Sequence, residues 1–385
     1  MKTLIIGIDG YLGWPLAMHL ARGGHQVYGI DNSSRRHRVK EVGGRSAFPL
    51  ARLGERTSAF AKEFGKKIVT WDMDIRRNGW LTQTLDEIQP DSIVHLGEMP
   101  SAPYSMIDYK HAKETHENNV QGSLSLLWAM REACPEAHLL KLGTMGEYGT
   151  PGVTIPEGFF EIQEAGGLKA TLPFPKAPGS FYHATKVHDT TNLEMANRIW
   201  GIRATDVMQG VVYGTRTSDM SHSAYRTRFD FDSIFGTVIN RFCVQAILGL
   251  PLTVYGQGNQ IRGFLPLIDS IRCMRLILEN PAEKGEYRVF NQLEDVYSIN
   301  KLANAVARAG ESVGLNVEID NIPNPRVEKE NHFFGVECSK LKAIGYEPTT
   351  DMHEVLRVML EDLFEVKDRL ADTEDSIMPK VQWAD

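Results

Sequence analysis

A chain of 385 residues with 42% hydrophobic content is long enough for one large domain or two moderate ones with a sizeable core. Its net charge of −7 excludes the basic field that a nucleic-acid or anionic-membrane surface needs. Cys134, Cys243, Cys273 and Cys338 form no C-x-x-C pair, which argues against a zinc knuckle or disulfide framework, and no run approaches the roughly 20 apolar residues of a membrane span.

From Lys2 to about Gly210, short apolar runs alternate with amphipathic segments: "TLIIGI" (3–8), "QVYGID" (26–31), "KIVTWD" (67–72), "SIVHLG" (92–97), "HLLKLG" (138–143) and "RATDVMQG" (203–210). Strand-length runs separated by helix-length segments predict a Rossmann-type, doubly wound parallel sheet, an α/β domain over 1–210. Asp9 breaks the first run too early for a signal peptide, so a cytoplasmic protein is expected.

Directly after the first run comes "GIDGYLG", with Gly7, Gly10 and Gly13 enclosing Tyr11 and Leu12, and then a helical pattern to Gly23. Strand, glycine loop and helix in that order suit a pyrophosphate, because glycine permits close backbone approach and the helix start offers free N–H groups. Asp31 ends the second run, where a carboxylate would bond an adenosine ribose and repel a 2′-phosphate; Asn32 and Ser33 follow it. NAD is therefore expected over NADP, with Arg35 or Arg36 as the residues that would meet a 2′-phosphate instead.

A second triplet with the same spacing, "GTMGEYG" (143–149), runs into Thr150, Pro151 and Gly152 rather than a helix. It reads as a loop beyond a strand's carboxyl end, which makes Thr144 and Glu147 candidates for chemistry. Residues 151–180 read as a lid-like, substrate-side loop. Tyr182 and Lys186 then stand at i and i+4 on a helix, where the ammonium would lower the phenol pKa for proton transfer. Tyr109/Lys113 and Tyr297/Lys301 match the spacing too, but only Tyr182 follows the strand-end Thr144. Beyond 210 the rhythm changes to short helices, such as 234–248 and 299–313, and isolated strands. This predicts a smaller, discontinuous α/β substrate domain over 211–385, with segments returning to the first sheet. Within it, "PLTVYGQGNQIRGFLPLID" reads as strand, turn and return strand, and the tail after 361 as a helix and a loose end.

The stretches "SAPYSMID" (101–108), "KLGTMGEYGTP" (141–151), "FYHATKVHD" (181–189), "QGVVYG" (209–214), "NRFCVQA" (240–246), "PLTVYGQG" (251–258) and "NPRVE" (324–328) carry a closer likeness. On these the chain resembles the extended short-chain dehydrogenases/reductases that act on nucleotide sugars, and in particular a sulfite-using branch, over nearly its whole length. The resemblance implies tightly bound NAD, UDP-glucose and sulfite as substrates, a homodimer through helices near 110–132 and 183–199, and room for a sulfite-donor protein. Tyr182 would take the C4 hydroxyl proton, Thr144 would bond the C4 oxygen, Lys186 would hold the ribose, and Glu147 would move protons at C5 or C6. Asp74, Ile75, Asn119 and Val212 would contact the cofactor. Ser101, Met145, Gln209, Arg241, Gln260, Arg262, Arg326 and Glu328 would surround the UDP-sugar, with His183 beside the sulfite or purely structural.

Two departures mark the chain. Met145 stands where sugar-nucleotide 4,6-dehydratases have an acid after the threonine, and Pro100 stands where the family commonly has an arginine before "SAPYSM". The rival readings are a UDP-sugar 4-epimerase or 4,6-dehydratase of the same fold, and a non-catalytic NAD-binding scaffold.

Overall fold

The computed structural model describes residues 1–220 and 225–383. Strands β1 (Lys2–Ile6), β2 (Gln26–Asp31), β3 (Ile68–Asp72), β4 (Ser92–His95) and β5 (His138–Thr144) form most of a parallel sheet. The β6–β7 hairpin (Phe159–Gln163, Lys169–Pro173) lies outside it. β8 (Arg203–Gln209) and, after β9 (Val211–Tyr213), β10 (Leu252–Tyr255) and β11 (Ile261–Pro266), the strand β12 (Tyr287–Gln292) complete the sheet. Its order is β12-β8-β5-β4-β1-β2-β3, the doubly wound arrangement. Continuous apolar strands suit this position because helices cover both faces. On one face Trp14, Leu16 and Leu20 of the Gly13–Arg22 helix share a core with Ile271, Met274 and Leu278 of the Leu267–Glu279 helix. On the other, Leu81, Leu85, Leu126, Met130 and Leu193 pack against Leu4, Ile6 and Ile93.

A separate core of Phe231, Phe242, Phe264, Leu302, Leu356 and Met359 supports a three-stranded β13-β11-β9 sheet and a β10–β14 pair, with β13 at Asp295–Ser298 and β14 at Ile319–Ile322. The expected return strand is not one: β10 pairs in parallel with β14, and β11 lies between β9 and β13. Gly256 and Gly258, at φ 61° and 71°, turn the chain out of the first pair instead of closing a hairpin. The loop 151–180 holds the antiparallel β6–β7 hairpin and is bridged to the C-terminal region at Ile155 and Val336.

Candidate active site

Strand order reverses between β1 and β4, which opens a crevice beyond their carboxyl ends. Gly7 leaves β1 at φ 86°, and a Cβ there would lie 2.6 Å from the Leu96 carbonyl. A Cβ on Gly13 would lie 2.2 Å from the Gly7 oxygen. Both positions therefore demand glycine. The loop packs flat against the end of β4, and Gly7, Gly10, Tyr11, Leu12 and Gly13 form one wall of a cavity of about 320 Å³. Tyr11 is anchored there by its hydroxyl, which donates to the Gly214 carbonyl at 2.7 Å.

At one end of this cavity the Asp31 carboxylate accepts the N–H groups of Asp9 (2.9 Å) and Ser33 (2.7 Å). Burial, with the charge of Asp9, raises its pKa to about 6. Arg36 grips both oxygens of Asp9 (2.6 and 2.7 Å), and Arg35 pairs with Asp230 (2.8 Å) with its guanidinium 4.0 Å over the Phe235 ring. Both arginines left open for a 2′-phosphate are thus held by carboxylates. Asn32, Asp74 and Ile75 line the same end, with Asp74 paired to Arg76 at 2.6 Å. The glycine cradle, the helix start and the acidic strand end fit a dinucleotide with a free ribose.

At the other end, Thr144 closes β5 and accepts the Gly146 N–H at 3.2 Å. Tyr182 lies in the first turn of the Phe181–Trp200 helix, which Ser180 caps by accepting the His183 N–H. Thr144 and Tyr182 line the cavity together. The second triplet has its own steric reason: a Cβ on Gly146 would lie 2.3 Å from His183 Nε2. His183, whose Nδ1 lies 3.0 Å from Ser180 Oγ, is held neutral by burial, its pKa lowered to about 4 with Arg326 and Arg262 adding to the effect. The two competing pairs are elsewhere: Tyr109 is 82% exposed and Tyr297 lies in β13.

Three expectations are corrected here. The Lys186 ammonium is bound by Glu98 and the Leu142 carbonyl, and Glu98 is the member of the pair on the cavity wall. The Tyr182 phenol pKa is not lowered. Burial raises it, Glu98 and Glu147 raise it further, and Lys141 and Arg35 oppose them. Glu147 is not presented to the cavity either: it is fully buried, bonded to Lys176 (2.7 Å) and Thr190 (3.1 Å), with Lys141 3.9 Å away. Lys141 in turn meets Asp206 at 3.2 Å, so Glu147 belongs to an ion cluster behind the loop. Met145 is buried against Tyr148, Phe174 and Met208 and fills core space.

The other residues divide between wall and support. Gln209 and Val212 line the cavity, and the Gln209 amide donates to Ser270 and Gln292. Asn119 braces from behind, bonding Met99 on both backbone groups and Thr185 Oγ1 at 2.9 Å. Ser101 caps a short helix and donates to the Ile234 carbonyl. Arg241, Gln260, Arg262, Arg326 and Glu328 form a cluster of their own off the cavity wall. Arg262 is bound to Glu328, Gln260 donates to the Tyr255 carbonyl at 3.1 Å, Arg241 lies 4.0 Å over the Tyr255 ring, and Arg326 lies 5.5 Å from the Trp383 ring. Pro100 lines the cavity; the three arginines on that wall, Arg35, Arg38 and Arg228, are each paired with a carboxylate. Sequence reasoning missed Glu98, Asn118, Arg228 and Phe235. Glu98 alone left a signal, as a carboxylate just past the end of "SIVHLG".

The model of the NAD dependent epimerase/dehydratase family matches residues 3–291, and the chain belongs to that family. Its cofactor is NAD. The chain is 49% identical to the UDP-sulfoquinovose synthase of Sulfolobus acidocaldarius, covering 100% of this chain and 98% of that one. It is 46% identical to the chloroplastic UDP-sulfoquinovose synthase of Spinacia oleracea, over 99% of this chain and 79% of the relative. Among solved structures, the UDP-glucose-4-epimerase of Stenotrophomonas maltophila, with bound NAD and formylated UDP-arabinopyranose, superposes with a TM-score of 0.73 at 17% identity, covering 96% of this chain and 99% of that one. That likeness establishes the fold.

Proposed function

We propose that the protein is a UDP-sulfoquinovose synthase, converting UDP-glucose and sulfite into UDP-sulfoquinovose and water. The end-to-end identity of 49% to the Sulfolobus enzyme carries this reading, and the meeting of Thr144 and Tyr182 on one cavity wall supports it. NAD, when bound, supplies the redox chemistry, oxidising sugar C4 at the start and reducing it again at the end.

This chain's residues do the rest. The Tyr182 oxygen takes the C4 hydroxyl proton and returns it, while Thr144 Oγ holds the C4 oxygen. The C4 ketone acidifies C5–H; loss of that proton and of the C6 hydroxyl as water leaves a C5=C6 bond conjugated to the ketone. Sulfite sulfur adds at C6 and a proton returns to C5. Met145 offers no acid to protonate the leaving C6 hydroxyl as an ordinary 4,6-dehydratase does. Arg241, Arg262 and Arg326 supply the cations for the diphosphate. Leu124, Trp128, Met195 and Ile199, all exposed on the Gly122–Ala133 and Phe181–Trp200 helices, give the face for a homodimer, which light scattering checks.

Mass spectrometry of the nucleotide sugar formed from UDP-glucose, with and without sulfite, tests the reading. A sulfonated product that appears only with sulfite is expected; UDP-galactose or a 4-keto-6-deoxy sugar in either tube overturns it.

A further inference from the structure

The sequence predicts a loose end to the chain, but the structure seats residues 378–383 in two places. The segment starts from a fixed point, because the Ser233 N–H donates to the Ser376 carbonyl at 2.8 Å beside the Glu374–Ile377 helix. Met378 then leaves that helix extended, at φ −72° and ψ 144°, as a residue before a proline must. The first seat is apolar: Val381 packs on a small core of Val39, Met99, Tyr104, Ile234 and Phe235. Met99 and Phe235 are also wall residues of the cofactor cavity. The second seat is the loop after β14, where the Trp383 N–H donates to the Pro325 carbonyl at 3.0 Å and the indole lies 5.5 Å from the Arg326 guanidinium. Two residues reach at most about 7 Å, so the segment ties that loop close to the cavity wall.

The loop backbone is fixed from within. Asn324 Oδ1 accepts the Arg326 N–H at 3.0 Å, and the Asn324 amide donates to Glu328 at 3.3 Å. The Arg326 side chain is different. Among the described residues no carboxylate lies within ion-pair distance of it, since Glu328 is bound to Arg262, and the Trp383 ring is what it rests on. A guanidinium on an aromatic face keeps its N–H groups for an anion, and one already held in place loses less freedom when the anion arrives.

We propose that Trp383 is a positioning residue for Arg326: residues 379–383 strap the arginine loop to the cavity wall, and the indole holds the guanidinium ready for the diphosphate of a nucleotide sugar. This rests on Arg326 as a diphosphate contact, part of the reading above.

The experiment is calorimetric titration of UDP into the purified NAD-bound protein. Trp383→Ala weakens binding about threefold to tenfold, the reach of a cation–π contact, and Trp383→Phe, which keeps an aromatic face, recovers most of the loss. With UDP-glucose the KM of Trp383→Ala rises by a similar factor while kcat stays within a factor of about two. In an Arg326→Ala background the same substitution adds little. A Trp383→Ala protein that binds UDP like the parent overturns the proposal, as does an equal loss with and without Arg326, or a fall in kcat at unchanged KM. Parent-like UDP binding in Arg326→Ala instead removes the assignment of Arg326 to the diphosphate, and the proposal with it. A missing sulfonated product sinks the synthase reading alone and leaves the UDP titrations standing.

Discussion

The sheet end of the site and the arginine cluster proposed for the diphosphate manage charge in opposite ways. At the sheet end, cations are held by carboxylates: Lys186 by Glu98, Arg36 and Arg56 by Asp9, Arg35 and Arg228 by Asp230. In the proposed diphosphate cluster, among the described residues, only Arg262 has a carboxylate within ion-pair distance, while Arg241 and Arg326 lie over Tyr255 and Trp383. A paired guanidinium holds shape; one set on an aromatic face keeps N–H groups for an anion. The sheet end is thus built for geometry and the other end for attraction.

Substitutions at the sheet end should therefore strike kcat or cofactor retention, and those at the diphosphate end should strike KM. The largest effect is expected from Tyr182→Phe, a loss of about 10² to 10⁴ in kcat with little change in KM for UDP-glucose, read by steady-state kinetics. Gly13→Ala places a methyl against a backbone oxygen that cannot yield, and should weaken NAD binding about tenfold to a hundredfold by calorimetry. Gly143→Ala sharpens the contrast: its Cβ would meet the Met208 side chain at 2.5 Å and Asp206 at 2.7 Å, side chains behind the strand rather than the backbone of the glycine cradle, so stability should fall while cofactor affinity stays close to that of the parent. Arg326→Ala should raise KM for UDP-glucose about tenfold, the worth of one charge-assisted contact, and leave kcat within a factor of about two. A kcat loss without a KM change there would break the comparison.

The smallest effect at working pH concerns stability. His95 and His183 are buried neutral with pKa values lowered to about 4, and burial likewise lowers His138 to about 3. Because the unfolded chain takes up protons at these sites from about pH 6.5 and the folded chain does not, their contribution is intact above that pH and is lost as pH falls toward 4. Each accounts for about 1 to 3 kcal/mol. The urea midpoint at pH 5 should accordingly lie well below that at pH 7.5, and His138→Gln should narrow the gap.

Much of the sheet end was legible in the sequence because its signals are local. A glycine loop between an apolar run and a helical pattern can be read within a few residues, and so can Asp31 at a strand end and Tyr182 after a helix cap. What escaped depends on partners distant in sequence. Nothing near Lys186 announces Glu98, 88 positions earlier, and nothing near Glu147 announces that Lys141, Thr190 and Lys176 will enclose it. The tyrosine–lysine spacing placed both residues on the Phe181–Trp200 helix but could not show the burial and carboxylates that raise the phenol pKa. The pairing of β10 with β14 escaped for the same reason, since strand pairing across more than 60 residues leaves no mark at the turn.

The five-residue π-helical turn Glu117–Gln121 holds two consecutive asparagines in different employment. Asn118 lines the cavity and bonds the Gly97 carbonyl and Arg38, while Asn119 joins Met99 to Thr185. One residue more than an α-helix would use keeps both side chains directed at neighbouring parts of the site. A family member that lost that single residue would keep a continuous helix yet swing one amide away, uncoupling the β4 loop from the tyrosine helix. The extra residue of this turn thus lets two adjacent amides serve the cavity wall and the tyrosine helix at once.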